Sequence, residues 1–100
     1  MMTDAEINLA IAKIECPDYD FKQGRKAALC KYASGEIAFQ RDYCNNWEDI
    51  GPIIEREKID LIWYKFNSMW AANAKNSEFV KYAETPMKAT ALCFLKMKGK

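Results

Sequence analysis

The sequence predicts an α+β fold, a small antiparallel sheet of at least three strands packed with helices. Three observations carry this expectation. Helix-start signals stand at Thr3–Glu6 and at Thr85-Pro86. Between residues 59 and 83 lie three short runs rich in β-branched and aromatic side chains, parted by Asn67-Ser68 and Asn76-Ser77. A chain of 100 residues, 50% of them hydrophobic, fills one core and has no room for a second. The expected organisation is one domain over residues 1–100. Residues 42–98 form an α-β-β-β-α sandwich, and residues 1–41 form an N-terminal helix and a hairpin region that extend or cover its sheet.

The first helix starts at a capping box, with Thr3 as N-cap and Glu6 three residues on. Ile7, Ala10, Ile11 and Ile14 share one face at helical spacing. Cys16-Pro17 ends the helix, because the residue before a proline is pushed out of helical angles. Residues 17–27, with Pro17, Asp18, Asp20 and Gly24, read as a polar connection. Ala28–Tyr32 and Glu36–Gln40 flank Ala33-Ser34-Gly35 and predict a hairpin. Asn45 and Asn46 are good caps, and Glu48 and Asp49 suit a helix N-terminus. Pro52 leaves two readings open: a helix from near Trp47 with a distortion, or a turn followed by a helix from Pro52.

Ile59–Phe66 is the strongest strand candidate. Leu61 and Trp63 alternate with Ile62, Tyr64 and Phe66, which predicts a strand covered on both sides. Met69–Ala74 and Phe79–Ala83 complete a meander, and an edge position for Met69–Ala74 would allow pairing with a second copy. The last helix runs from Pro86, with Thr85 as cap, to a stop at Gly99. Met87, Ala91, Leu92, Phe94 and Leu95 give it a broad apolar face.

Composition narrows function by exclusion. Histidine is absent, which removes Ser/His and Cys/His catalysis, His-ligated metals and a histidine pH switch. A net charge of +1 argues against a strongly basic nucleic-acid binder. Cys16, Cys30, Cys44 and Cys93 contain no C-x-x-C knuckle, so they read as reduced, partly buried thiols and not as a zinc site. The acidic residues are explained by caps and solvated helix ends. No glycine-rich phosphate loop occurs. The expectation is a protein without catalysis, metal or cofactor. The N-terminus carries no secretory signal and no apolar run approaches a membrane span, so a cytosolic setting is expected.

Two surface candidates remain. Asp42, Tyr43, Asn45, Asn46 and Trp47 place aromatic and polar groups in one turn, and Trp70 is a further aromatic; these residue types anchor protein interfaces. Lys22, Arg25, Lys26 and Lys31 form a local basic cluster suited to phosphate, which keeps nucleic-acid or nucleotide binding as the second reading. A homodimer is a third partner class.

Asp42-Tyr43-Cys44-Asn45-Asn46-Trp47, Gly51-Pro52-Ile53-Ile54-Glu55, Trp70-Ala71-Ala72 and Thr85-Pro86-Met87-Lys88-Ala89, in that order and spacing, resemble small phage proteins of the NinX-like group and the related phage ABA sandwich domain. The likeness covers about residues 42–97 and, more loosely, the N-terminal helix. It implies a phage or prophage origin and the layering reached above, and it brings no established chemistry. Some members carry an aspartate near Asn45 or Asn46, so the asparagines here argue against an acidic role at that point. It also implies a small accessory protein that occupies the surface of a host protein in the host cytosol, a defence component among the candidates.

Overall fold

The structure is a computed structural model and describes residues 2–100. Helix α1 spans Asp4–Glu15, followed by strands β1 (Phe21–Gln23), β2 (Ala28–Lys31) and β3 (Ile37–Arg41). Helix α2 (Trp47–Glu57) then leads to strands β4 (Asp60–Tyr64), β5 (Met69–Ala74) and β6 (Phe79–Ala83), and helix α3 (Pro86–Met97) closes the chain. The α+β class and the helix–three-strand–helix order from residue 47 stand as expected.

The local signals act where the sequence places them. Thr3 Oγ1 accepts from the Glu6 N–H at 3.2 Å while Glu6 Oε1 accepts from the Thr3 N–H at 3.0 Å, the reciprocal capping box of α1. The Thr85 hydroxyl accepts from the Lys88 N–H at 3.2 Å. At the far end of α3, Gly99 takes a left-handed φ of 75°, and the Lys100 N–H donates to the Leu95 carbonyl at 2.9 Å. Of the two readings around Pro52, the helix from Trp47 is the one observed, with Asn46 as its cap. Pro52 sits on the exposed side of α2 and leaves the Glu48 carbonyl without its helical donor.

Two expectations in the first half are corrected. Residues 17–27 are not only a connection, because Phe21–Gln23 forms β1 and pairs with β2. The hairpin also does not extend the C-terminal sheet. It forms its own antiparallel sheet, ordered β1-β2-β3, apart from the sheet β4-β5-β6. Helix α2 lies between β3 and β4 in the chain and separates the two meanders. Gly24 serves the β1–β2 turn: a Cβ there would lie 2.7 Å from the Ala27 carbonyl oxygen and 2.9 Å from Leu29 Cγ.

Helix α1 packs on β1, β2 and α3, while α3 packs on β5 and β6 and also meets α2. The layers are therefore sheet, helix, helix, sheet, and the body is elongated, 49 × 23 × 23 Å. As the inner layer that touches most others, α3 buries residues around most of its circumference, including Ala89, Thr90, Ala91, Cys93, Phe94 and Leu95. Helix α2 packs on α3 and joins α1 through Arg56, whose guanidinium donates to Glu15 Oε1 at 2.8 Å and Oε2 at 2.9 Å.

Candidate functional site

The turn before α2 is a polar joint built on a buried asparagine. Asn8 of α1 is fully buried. Its Nδ2 donates to the Lys26 carbonyl and to Asp42 Oδ1, both at 2.8 Å, and its Oδ1 accepts from the Cys44 N–H at 3.1 Å. Asp42 also accepts from Asn45 Nδ2 at 3.1 Å, and its N–H donates to Asp49 Oδ2 at 2.8 Å. Asn46 Oδ1 accepts from the Glu48 N–H at 2.9 Å as the cap of α2. Asp42, Asn45 and Asn46 thus help hold α1, the turn and α2 together, while Asn45 and Asn46 remain exposed.

Tyr43 is a correction to the sequence reading. It is 3% exposed and belongs to the core, so it offers no surface to a partner. Burial holds its hydroxyl well above the usual tyrosine range. Burial also pushes the Cys44 thiol up to about 12. Trp47 does lie open, half exposed at the first position of α2. Trp70 is partly buried against the core and leans on Trp63 with ring centroids 5.5 Å apart.

The basic residues all lie on the exposed β1–β2 hairpin. Arg25 and Lys26 lie in the β1–β2 turn, Lys22 sits within β1 beside Asp20 at 3.4 Å, and Lys31 ends β2 away from that turn. The Lys26 carbonyl is engaged by Asn8. Among the described residues no three potential ligands converge on a metal-sized point.

An open apolar surface lies elsewhere, on the C-terminal sheet. Register fixes its two faces, since directly paired residues point the same way. Leu61, Ala72 and Lys81 are in line, as are Trp63, Trp70 and Ala83. That face takes α3, with Ala72, Ala74 and Ala83 small enough to let the helix close on the sheet. The opposite face carries Ile62, Tyr64, Met69, Ala71, Val80 and Tyr82, with Asp60 and Asn73 at one end. No element packs over it among the described residues, and Ile62, Tyr64 and Tyr82 are each at least 40% exposed. The expectation that β4 would be covered on both sides is therefore corrected: only Leu61 is packed against the core, and Trp63, on the same face, is 48% exposed. Tyr64 and Tyr82 meet edge to face at 5.7 Å, and Phe66, in the β4–β5 turn, is fully exposed. The uninterrupted apolar run from Leu61 to Tyr64 signalled this surface in the sequence, but that run alone does not distinguish a covered strand from an open one. The edge position considered for Met69–Ala74 is also overturned, since β5 is the central strand and pairs on both sides.

A cleft of about 930 Å³ opens beside this sheet, between β6, α3 and the start of α1. Asp4 and Lys88 meet at 2.9 Å across it. The Lys88 contact holds the Asp4 carboxyl below the usual carboxylate range, and Asp4 in turn raises Lys88.

The family described as Bacteriophage P22, NinX matches residues 1–98. The chain belongs to this family of phage proteins. The match extends the likeness seen in residues 42–97 across the first helix and the hairpin sheet as well. No curated protein and no solved structure matches the chain. No helix among the described residues is long and apolar enough to cross a membrane.

Proposed function

We propose that this member of the family is a non-catalytic accessory protein that binds a host protein in the host cytosol through the open face of its C-terminal sheet. One observation carries the reading: Ile62, Tyr64, Met69, Val80 and Tyr82 form a continuous aliphatic and aromatic face with no layer over it, next to the exposed Phe66. Soluble chains rarely leave such a patch open unless something docks there. Tyrosine and phenylalanine bring large contact area at low entropic cost. Asp60 is the only carboxylate or lysine at the strand positions of this face, so the fitting partner presents an uncharged, apolar patch. Lys22, Arg25, Lys26 and Lys31 are exposed side chains on one hairpin, and Lys22 already lies beside Asp20, so the nucleotide reading has less support.

The test is affinity capture from host cells with native mass measurement, on the wild type and on Ile62→Asp/Phe66→Asp. The expected result is one stoichiometric host protein, lost in the double variant, retained in Lys22→Glu/Lys31→Glu, and insensitive to moderate salt. Its identity then shows whether the partner is a defence component. Retained nucleotide with no protein partner, or capture that the double variant leaves intact, overturns the reading.

A further inference from the structure

The cleft beside β6 has a geometry that the open sheet face does not use. Three consecutive residues of β6, Lys81 to Ala83, line it, followed by Glu84 and Thr85. Neighbouring side chains of a strand point to opposite faces, so a wall made of consecutive residues presents the edge of the strand. That edge is free, because β6 is the outer strand of its sheet. The opposite wall is the stripe Lys88, Leu92 and Lys96 of α3, one residue per turn. The stripe runs about 12 Å, the reach of about four residues of extended chain.

Charge selects among occupants. Asp4 is committed to Lys88. Lys81, Lys96 and Lys100, all lining the cleft, have no carboxylate within ion-pair distance among the described residues, against Glu84 as the one other acid of the lining. Leu92 supplies an apolar floor between the lysines.

We propose that the free edge of β6 and this cleft accept an extended acidic segment of a partner protein as an added strand. The segment's backbone pairs with β6. Its carboxylates alternate toward Lys81 and Lys96, and its apolar side chains point to the other face, beside Val80 and Tyr82, where they prolong the open sheet face. A second copy of this chain fits poorly, because β6 is Phe79-Val80-Lys81-Tyr82-Ala83 and antiparallel self-pairing would bring lysine toward lysine. A nucleotide finds lysines strung along a line and no arginine fork or glycine loop. The inference rests on the reading that the protein acts by binding, and it adds the chemistry of what is bound.

The test uses the full chain and dye-labelled eight-residue peptides in fluorescence polarisation. A peptide alternating Glu and Val should bind saturably, while one alternating Lys and Val should not. Lys81→Glu/Lys96→Glu should weaken the acidic peptide by about tenfold or more, as should methylation of alternate peptide nitrogens, which removes strand pairing. Ile62→Asp/Phe66→Asp should leave peptide affinity unchanged, which separates this site from the open face: host capture can fail while the peptide still binds. The proposal is overturned by absence of saturable binding, by equal affinity for the basic peptide, by indifference to the lysine variant or to backbone methylation, or by displacement with ATP or an oligonucleotide at lower concentration than the peptide itself. Both substituted lysines are exposed, and a thermal melt of the variant confirms that the fold persists.

Discussion

The N-terminal sheet (β1–β3) and the C-terminal sheet (β4–β6) are both three-stranded antiparallel meanders with one helix packed on the inner face. Their inner faces solve packing differently. In the first, the buried Phe21 meets the half-buried Phe39 edge to face at 5.6 Å, so a bulky ring occupies the inner face. In the second, alanines bring α3 close. The outer faces differ more. The row Lys22, Leu29 and Gln40 is polar apart from Leu29, which folds against the Gly24 turn. The row Ile62, Ala71 and Tyr82 is apolar throughout. Topology is shared between the halves, so the difference in outward chemistry is where function is to be sought.

The sharpest way to break this comparison is to ask whether the halves are one unit. Phe94→Ala, at a fully buried position of α3, should cost about 3–5 kcal/mol. Tryptophan fluorescence and amide exchange in β2 should then shift together; separate transitions would mean two independent halves. Next in size is Asn8→Ala. It strips partners from the Cys44 N–H, the Lys26 carbonyl and Asp42, and should cost about 2–3 kcal/mol in chemical denaturation.

A smaller effect is expected from Asp4→Asn, under about 1 kcal/mol because both partners of the Lys88 pair are partly exposed. The folded carboxyl titrates below its ordinary 3.8, so its contribution is present above that value and is lost as pH falls through the lowered one. Melting temperatures of wild type and variant should differ at neutral pH and converge in acid. Smallest of all, Ile62→Asp should move stability by no more than about 0.5 kcal/mol, since its side chain faces solvent. A large loss would show that the open face is part of the core after all.

The sequence made the helices and most strands legible because their signals are local. Thr3 with Glu6, Thr85 with Pro86, and Asn67-Ser68 with Asn76-Ser77 each act within a few residues. Strand β1 was not legible: three residues with one inward side chain, Phe21, have no period of their own and exist through pairing with β2 and packing on α1. Nor was the division into two sheets, because partner choice between strands on either side of α2 is a tertiary matter. At the candidate site, Asp42, Asn45 and Asn46 had the residue types of an interface, and their role in the joint was not legible. Asn8, the partner of Asp42, sits beside Ile7 on a stripe that apolar periodicity alone treats as featureless. Phe66 was visible only as the end of an apolar run.

One feature of the layering bears on how such a gene can change. The outward side chains of the last layer support no other part of the chain except Ala71 beneath them. Substitution at Ile62, Tyr64, Val80 or Tyr82 can therefore change the outward chemistry while the interior that specifies folding stays as it is.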